Sequence, residues 1–118
     1  MEMVTIKAGG EVSIVKGDDS FAMIKAGVGG GMFERIEFTG DIDLWCDEEF
    51  LLKGVYNPNF AATVLLYKFS EAYRYEGTIL QGDVIISGGC DREGNTLGLS
   101  LENMCGLLLF LNAAEALG

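Results

Sequence analysis

Residues 32–47 read Met-Phe-Glu-Arg-Ile-Glu-Phe-Thr-Gly-Asp-Ile-Asp-Leu-Trp-Cys-Asp, and this stretch decides the fold class. Apolar and polar side chains alternate on both sides of a Thr-Gly-Asp turn at residues 39–41. Alternation with a period of two is the pattern of half-buried strands. Residues 50–53 follow a polar turn as another apolar run, so the sequence predicts a β-meander over residues 32–53.

The second strand of this meander is expected to turn its tryptophan away from the core. Ile42, Leu44 and Cys46 are spaced two residues apart, and successive side chains of a strand point to opposite faces. If these three residues face the core, Trp45 lies on the polar face of the strand. An aromatic side chain in that position is typical of an interface or a binding site.

The remaining segments extend the pattern to a single α+β domain over residues 1–118. They predict strands at residues 4–6, 12–15 and 82–88, helices at residues 21–26 and 60–69, a loop at residues 70–77 and a last helix at residues 101–117. Asn57, before a proline, is the expected cap of the second helix. We expect a core of residues 3–99, with a mostly antiparallel sheet of about five to six strands, two short helices and a long apolar C-terminal helix.

The net charge of the chain restricts the classes of partner that it can bind. It carries 18 acidic and 8 basic side chains, for a formal net charge of −10. This disfavours direct binding to nucleic acid, where cationic side chains replace counterions, and binding to anionic membranes. No window has the roughly 18 apolar residues of a membrane span, and the first residues lack a secretory signal. We expect a soluble cytoplasmic protein, with a small molecule, a basic protein surface or a second copy as partner.

The sequence offers no catalytic constellation. Histidine is absent, which removes the commonest general base and the usual partner of a serine or cysteine nucleophile. Cys46, Cys90 and Cys105 lie far apart and form no C-x-x-C pair. The acidic residues 91–95 fit a turn better than a calcium loop. We therefore expect a protein without enzymatic activity, catalytic residues, metal or cofactor.

The predicted C-terminal helix is apolar nearly all round. It has no charged side chain between Glu102 and Glu115, whereas a surface helix normally keeps a polar face. One side of the helix then packs on the sheet, and the other packs on a second copy of the protein. The alternative is a central helix sandwiched inside one monomer. The expected oligomer interface consists of Met104, Gly106, Leu108, Phe110 and Leu111.

A second set of residues has the chemistry of a nucleotide pocket. Aromatic faces stack on planar ligands, asparagine reads base edges, and arginine pairs with phosphate. The candidate ligand-binding side chains are Trp45, Tyr56, Asn57, Asn59, Arg74 and Tyr75. Structural roles are the alternatives, with Asn57 as a helix cap and the tyrosines at the rim of the core.

Gly29, Gly30 and Gly31 complete this candidate site. A P-loop needs a lysine and a serine or threonine that open a following helix, and a dinucleotide-binding loop needs a preceding strand. Here a helix comes first and no lysine follows. A helix C-terminus with glycine at positive φ accounts for the first glycines. Three in succession exceed what one cap requires, so their backbone N–H groups remain candidates for binding an anion.

Four short motifs follow one another in the chain: Val-Gly-Gly at residues 28–30, Trp-Cys-Asp-Glu-Glu at 45–49, Asn-Pro-Asn at 57–59 and Gly-Asp-Val-Ile-Ile at 82–86. In this order, within residues 18–102, the chain resembles a family of small phage and mobile-element domains of unknown function. The resemblance transfers no catalytic residues, and the long apolar C-terminal helix departs from it. It implies an accessory gene product that counters host defences.

Two main hypotheses follow from these features, and a purely structural or regulatory partner module is a third. The first is a non-enzymatic phage or mobile-element protein that sequesters a small nucleotide-derived defence signal of the host at a homo-oligomer interface. The alternative is an acidic protein that mimics DNA or masks a basic surface of a host defence protein. Carboxylates scattered over turns weigh against the alternative, because a phosphate mimic needs them in a regular array.

Overall fold

The computed structural model describes residues 1–49 and 56–117, with side chains as far as residue 115. The strands are β1 (Glu2–Ile6), β2 (Val12–Lys16), β3 (Phe33–Thr39), β4 (Ile42–Asp47) and β5 (Val84–Ser87). The helices are α1 (Ser20–Gly27), α2 (Phe60–Phe69), α3 (Glu71–Glu76) and α4 (Leu101–Leu117). The strand expected at residues 50–53 lies outside the described residues.

The five strands form one antiparallel sheet in the order β2-β1-β5-β4-β3. The expected α+β class and antiparallel sheet are confirmed. In the hairpin β3–β4, Ile36 pairs with Leu44 and Arg35 pairs with Trp45, so apolar residues share one face as their alternation predicts. Strand β5 lies in the middle of the sheet, and all four of its residues are buried. Strands β2 and β3 lie at the two ends of the order.

The two faces of the sheet carry separate cores. The larger core joins the sheet to α2 and α4 and includes Val4, Ile6, Leu44, Leu65, Leu66 and Leu107. The smaller core joins the other face to α1 and consists of Met3, Ile24, Val28 and Ile85. The sheet is thus a middle layer between α1 and the α2–α4 pair. Within the described ranges, none of the helices has the length and apolar character needed to cross a membrane.

The cap of α2 is Asn59, so the expectation of Asn57 is wrong. Pro58 forms an isolated antiparallel bridge with Gln81, which keeps the proline in extended chain. The helix therefore begins after the motif, at Phe60.

The segment expected as a loop at residues 70–77 contains the short helix α3. The Ser70 hydroxyl accepts a hydrogen bond from the N–H of Tyr73 at 3.4 Å, which caps the first turn. Gly77 closes the helix in the left-handed region at φ 70°. The described part of the chain therefore has three short helices, and α4 as the long one.

Candidate functional site

The glycine cluster ends helix α1. Gly29 and Gly30 both have a φ of 91°, a conformation that glycine adopts without strain. The N–H of Gly29 donates to the carbonyl of Ala26 at 3.2 Å, and that of Gly30 donates to the carbonyl of Lys25 at 2.8 Å. These bonds satisfy the last carbonyls of the helix. Two of the three candidate anion-binding N–H groups are therefore taken up by the helix end, and Gly31 leads into β3.

Asn59 is fully buried, and its side chain joins three segments of the fold. The Oδ1 atom accepts a hydrogen bond from the N–H of Ala62 in the first turn of α2, at 3.0 Å. The Nδ2 group donates to the carbonyl oxygens of Ile6 and Gly82, each at 2.9 Å. These bonds give Asn59 a structural role at the junction of α2, β1 and the segment before β5.

Trp45 lies on the opposite face of β4 from Ile42, Leu44 and Cys46, as the alternation predicts. The expectation that this face is polar and turned away from the core is wrong, because α1 covers it and a second core forms there. Its indole N–H donates to the Ser87 hydroxyl at 2.8 Å. Its ring meets Phe33 edge to face, with 5.6 Å between the ring centroids, and Phe33 meets Phe21 of α1 in the same way. Trp45 is thus a half-buried part of the smaller core, and its polar atom is satisfied within the chain.

The other candidate ligand-binding residues lie apart from Trp45. Arg74 and Tyr75 belong to α3, which packs beside α2 on the opposite side of the sheet. Tyr75 is 95% exposed, and Arg74 forms a surface ion pair with Glu71 at 3.7 Å. Tyr56 and Asn57 are also exposed, and the N–H of Asn57 donates to the Gln81 side chain. The structure therefore does not bring the candidate set into one cavity.

The residues of the expected α4 interface are divided by the fold. Met104 and Leu111 are buried in the larger core. Leu108 and Phe110 are partly buried and pack against that core. A Cβ built on Gly106 meets no atom within 4 Å outside its own helical neighbourhood. Among the described side chains of α4, the large apolar ones that are exposed are Leu101 and Leu109. Most of the expected contact residues thus serve the chain's own core.

A groove with a volume of about 900 Å³ lies on the α2–α4 side of the sheet. It is formed by the turn before β2 (residues 9–12), the first turns of α2 (residues 60–64) and the second half of α4 (residues 108–115). We call it the hairpin–helix groove. Its volume lies within the range of roughly 300–1,000 Å³ that is typical of small-molecule sites.

The groove combines apolar walls with an acidic rim. Phe60 is 61% exposed, and Val64 stands one helical turn further along α2. Glu11 of the hairpin and Glu115 of α4 also line the groove. Among the described residues that line the groove, none is lysine or arginine. The groove therefore favours a ligand with an apolar or planar part and with hydroxyl or amino groups, and its carboxylates repel phosphate.

Two buried ionisable groups lie in the sheet. Burial raises the pKa of Asp43, and the Arg35 guanidinium, 3.6 Å away, opposes this rise. Burial also raises the pKa of the Cys46 thiol to about 12, and the charges of Glu34 and Asp47 add to the rise. A thiol with this pKa stays protonated and unreactive at neutral pH. The described ranges contain no cluster of three or more potential metal ligands.

The groove was not identified from the sequence, because no role was assigned there to the exposed side of α2. Ala62, Leu65 and Leu66 do face the core, but Phe60 and Val64 occupy the other side of the helix. Their i, i+4 spacing is a signal for a second apolar face. The partners of that face come from segments far away in the sequence, so the spacing alone does not reveal a groove.

The fold and the groove define a class: a small α+β domain whose antiparallel sheet lies between helices, with an open apolar groove on one side. The family model of a domain of unknown function, DUF3846, matches residues 1–109, and the chain belongs to this family. The expected membership of a family of unknown function is confirmed. The match extends into α4, so this helix is not wholly outside the family pattern. No curated protein and no solved structure matches the chain.

Proposed function

We propose that the protein acts by binding, without catalysis, and that it holds a small ligand in the hairpin–helix groove. The observation that carries the proposal is the groove itself. Three elements enclose an apolar surface, and the exposed ring of Phe60 stands within it. Exposure of a phenylalanine ring and its apolar neighbours to water is unfavourable, so a ligand that covers them lowers the free energy of the complex.

The lining supports a ligand with a planar ring and several hydroxyl or amino groups. An aromatic ring stacked on Phe60 gains about 0.5–1.5 kcal/mol beyond the area that it buries. Asn112 offers a donor and an acceptor, and Glu11 and Glu115 accept hydrogen bonds. A nucleoside has both a planar base and ribose hydroxyls. The nucleoside part of a nucleotide fits this lining, with its phosphate outside the acidic rim.

The finer proposal is that the protein is a phage or mobile-element product that sequesters a nucleotide-derived defence signal in the host cytoplasm. Its support is the sequence resemblance, together with the fit of a nucleoside to the groove. The proposal predicts tight binding without turnover of the bound molecule.

Titration of ¹⁵N-labelled protein with adenosine and with ADP-ribose tests the groove. We expect both to shift the amide signals of residues 9–12 and 60–64, because the nucleoside part that they share fits the lining of the groove. Phe60→Ala should weaken binding on the order of tenfold. Phe21→Ala is the matched control, since Phe21 is as exposed as Phe60 but lies on α1.

In the titration of the unaltered protein, two results would overturn the groove as the binding site. One is the absence of binding to either ligand by a folded protein. The other is a set of shifts around Gly31 and Trp45 with no change near Phe60, which places the ligand on the α1 side of the sheet. An equal loss of affinity in Phe21→Ala and Phe60→Ala would also contradict the assignment.

A second candidate function is favoured by the charge of the β3–β4 hairpin. Residues 33–49 contain seven acidic side chains and one basic one, a net charge of −6. Glu34 and Glu37 on β3, and Glu48 after β4, are exposed. Such a surface suits an acidic protein that covers a basic protein surface.

Binding of poly-L-lysine at increasing salt tests this second candidate. The double variant Glu34→Gln/Glu37→Gln should bind several-fold more weakly at low salt. The control Glu71→Gln/Glu76→Gln removes the same charge from α3 and should bind as the unaltered protein does. Equal losses in both variants would show that only the net charge matters, and would contradict a specific acidic surface.

A further inference from the structure

Strand β2 is an unprotected edge of the sheet. It lies at one end of the strand order and pairs with β1 alone within the described part of the chain. Four of its five residues are exposed, and three of the five are β-branched and apolar: Val12, Ile14 and Val15. Edge strands of this kind pair with other strands unless charges, bulges or cover prevent it.

The hydrogen bonds of β1 and β2 show which backbone groups of β2 face outward. Met1 and Gly17 exchange two hydrogen bonds, at 2.8 and 3.1 Å. Such pairs alternate along an antiparallel ladder, so Ser13 and Val15 also bond to β1 in the observed register. The N–H and C=O groups of Val12, Ile14 and Lys16 therefore point away from the sheet.

The two edges of the sheet differ in charge. Strand β3 carries Glu34 and Glu37 and has a register shift between Glu37 and Thr39, and both features discourage pairing. The β1–β2 hairpin, residues 1–17, contains two acidic and two basic side chains, with no net side-chain charge. Two copies that meet at β2 thus keep the acidic β3–β4 hairpins on the far sides.

We infer that two copies of the chain pair antiparallel through β2, about a twofold axis at Ile14, and so join their sheets into one. In this register Ile14 meets Ile14 of the second copy, and Val12 meets the second copy's Lys16. Each outward-facing residue of one strand meets an outward-facing residue of the other, so the backbone groups satisfy one another. The inference goes beyond the proposed function and needs no ligand.

Pairing through β2 also changes the hairpin–helix groove. Directly opposite residues of antiparallel strands share a face of the sheet. Lys16 of the second copy therefore stands beside Val12, a groove residue. It brings a cation next to a rim that otherwise carries Glu11 and Glu115. A phosphate-bearing ligand then binds better to the dimer than to the monomer, a consequence that rests on the proposed function.

Light scattering of the ligand-free protein tests the dimer directly. We expect a mass of twice the 12.7 kDa chain. Ile14→Lys places two ammonium groups across the axis and should return the mass to that of one chain. Leu109→Lys is the matched control: Leu109 is 71% exposed on α4, against 45% for Ile14. This control should remain dimeric.

Amide hydrogen exchange tests the register without any substitution. In the dimer the N–H groups of Val12, Ile14 and Lys16 should exchange on the order of tenfold or more slowly than in Ile14→Lys protein. Those of Ser13 and Val15, which bond to β1, should be protected in both proteins. This alternation is specific to strand pairing.

Three results would overturn the inference. The first is a monomer at the concentrations used for NMR. The second is a dimer that Leu109→Lys dissociates and Ile14→Lys does not, which assigns the contact to α4. The third is a dimer with unprotected amides at Val12 and Ile14. Failure of adenosine and ADP-ribose to bind leaves each of these readouts intact, so the dimer and the ligand site fail separately.

Discussion

Asn59 shows at the scale of a single residue how the fold brings distant segments together. One buried amide caps α2 and also bonds to the carbonyls of Ile6 and Gly82. Pro58, held in extended chain by its bridge to Gln81, delivers the asparagine to this point. The Asn-Pro-Asn motif is therefore a junction of the sheet with α2, and the role of the Asn59 side chain is structural.

Asn59→Ala should be strongly destabilising. It removes the cap, a loss of about 1 kcal/mol, and leaves the Ile6 carbonyl buried without its amide donor, a further loss of about 1–3 kcal/mol. Asn57→Ala is the matched control, because Asn57 contributes backbone bonds that alanine keeps, and it should cost under about 0.5 kcal/mol. Urea unfolding measures both. Equal costs would contradict the role of Asn59.

The three cysteines should differ in reactivity. Cys90 and Cys105 are exposed, and Cys46 is buried with a pKa raised from 9.0 to about 12. At pH 8 a thiol reagent such as Ellman's reagent should modify Cys90 and Cys105 in the folded protein. It should reach Cys46 only after unfolding, because the reactive thiolate is absent from the core. Rapid modification of all three thiols would contradict this burial.

The raised pKa of Cys46 also has a consequence for stability. Between pH 9.0 and about 12 the folded thiol keeps its proton and the unfolded thiol loses it. The folded state then binds more protons, so the free energy of unfolding falls as pH rises through this window. Replacement by valine removes the titration, and unfolding measured at pH 8 and pH 10 should show a smaller decline for Cys46→Val.

At the scale of the helices, replacing glycine by alanine should have opposite effects on stability at two positions, Gly27 and Gly106. A Cβ at Gly27 would stand 2.7 Å from Cβ of Ile85, so α1 approaches β5 closely at its end. Gly27→Ala should cost about 1–3 kcal/mol by overpacking. Gly106, in the middle of α4, has open space at the same position. Gly106→Ala should therefore stabilise the protein by about 0.5–1 kcal/mol, as thermal unfolding will show.

The outcome of Gly106→Ala also bears on oligomerisation. If α4 packs closely on a second copy at Gly106, the added methyl group should lower the oligomer mass in light scattering. If copies pair through β2, the mass should not change and only the stability should rise. The two readouts come from the same variant.

The sequence predicted the helices and strands wherever a local pattern, such as alternation or a helix-start signal, was present. Alternation predicted β3 and β4, and the Asn-Pro-Asn start signal predicted α2 at residues 60–69, its observed bounds, although the cap is Asn59 and not Asn57. The helix α3 was not predicted, because its aromatic and charged residues show no apolar face. Ser70, which caps α3, is a local helix-start signal, but no apolar periodicity follows it to confirm a helix. The described part of the structure therefore has one helix more than the sequence predicted, whereas its antiparallel sheet of five strands agrees with the prediction.

The site could not be predicted to the same degree at the scale of the whole molecule. Trp45 was placed on the correct face of β4, but a strand pattern does not show that Phe33 covers its ring and Ser87 binds its N–H. The hairpin–helix groove requires residues 9–12 to meet α2 and α4. Such contacts depend on the strand order and on the direction of each helix, which periodicity does not encode.

The net charge of −10 acts on the whole molecule, and the sheet contains one pair of like charges in direct opposition. Glu37 lies directly opposite Asp43 in the β3–β4 ladder, and its charge helps to raise the pKa of Asp43. Like charges directly opposite destabilise a sheet. Glu37→Gln should therefore stabilise the protein by about 0.3–1 kcal/mol at low salt.

Glu71→Gln separates this local repulsion from the effect of net charge. It removes the same charge, but Glu71 lies in the first turn of α3 and pairs with Arg74, so its loss should destabilise by up to about 0.5 kcal/mol. In 1 M salt, where the screening length is about 3 Å, both effects should shrink. Acid should also remove the gain of Glu37→Gln, because Asp43 becomes neutral below its raised pKa and repulsion ends. Equal stabilisation by both variants would instead assign the cost to net charge alone.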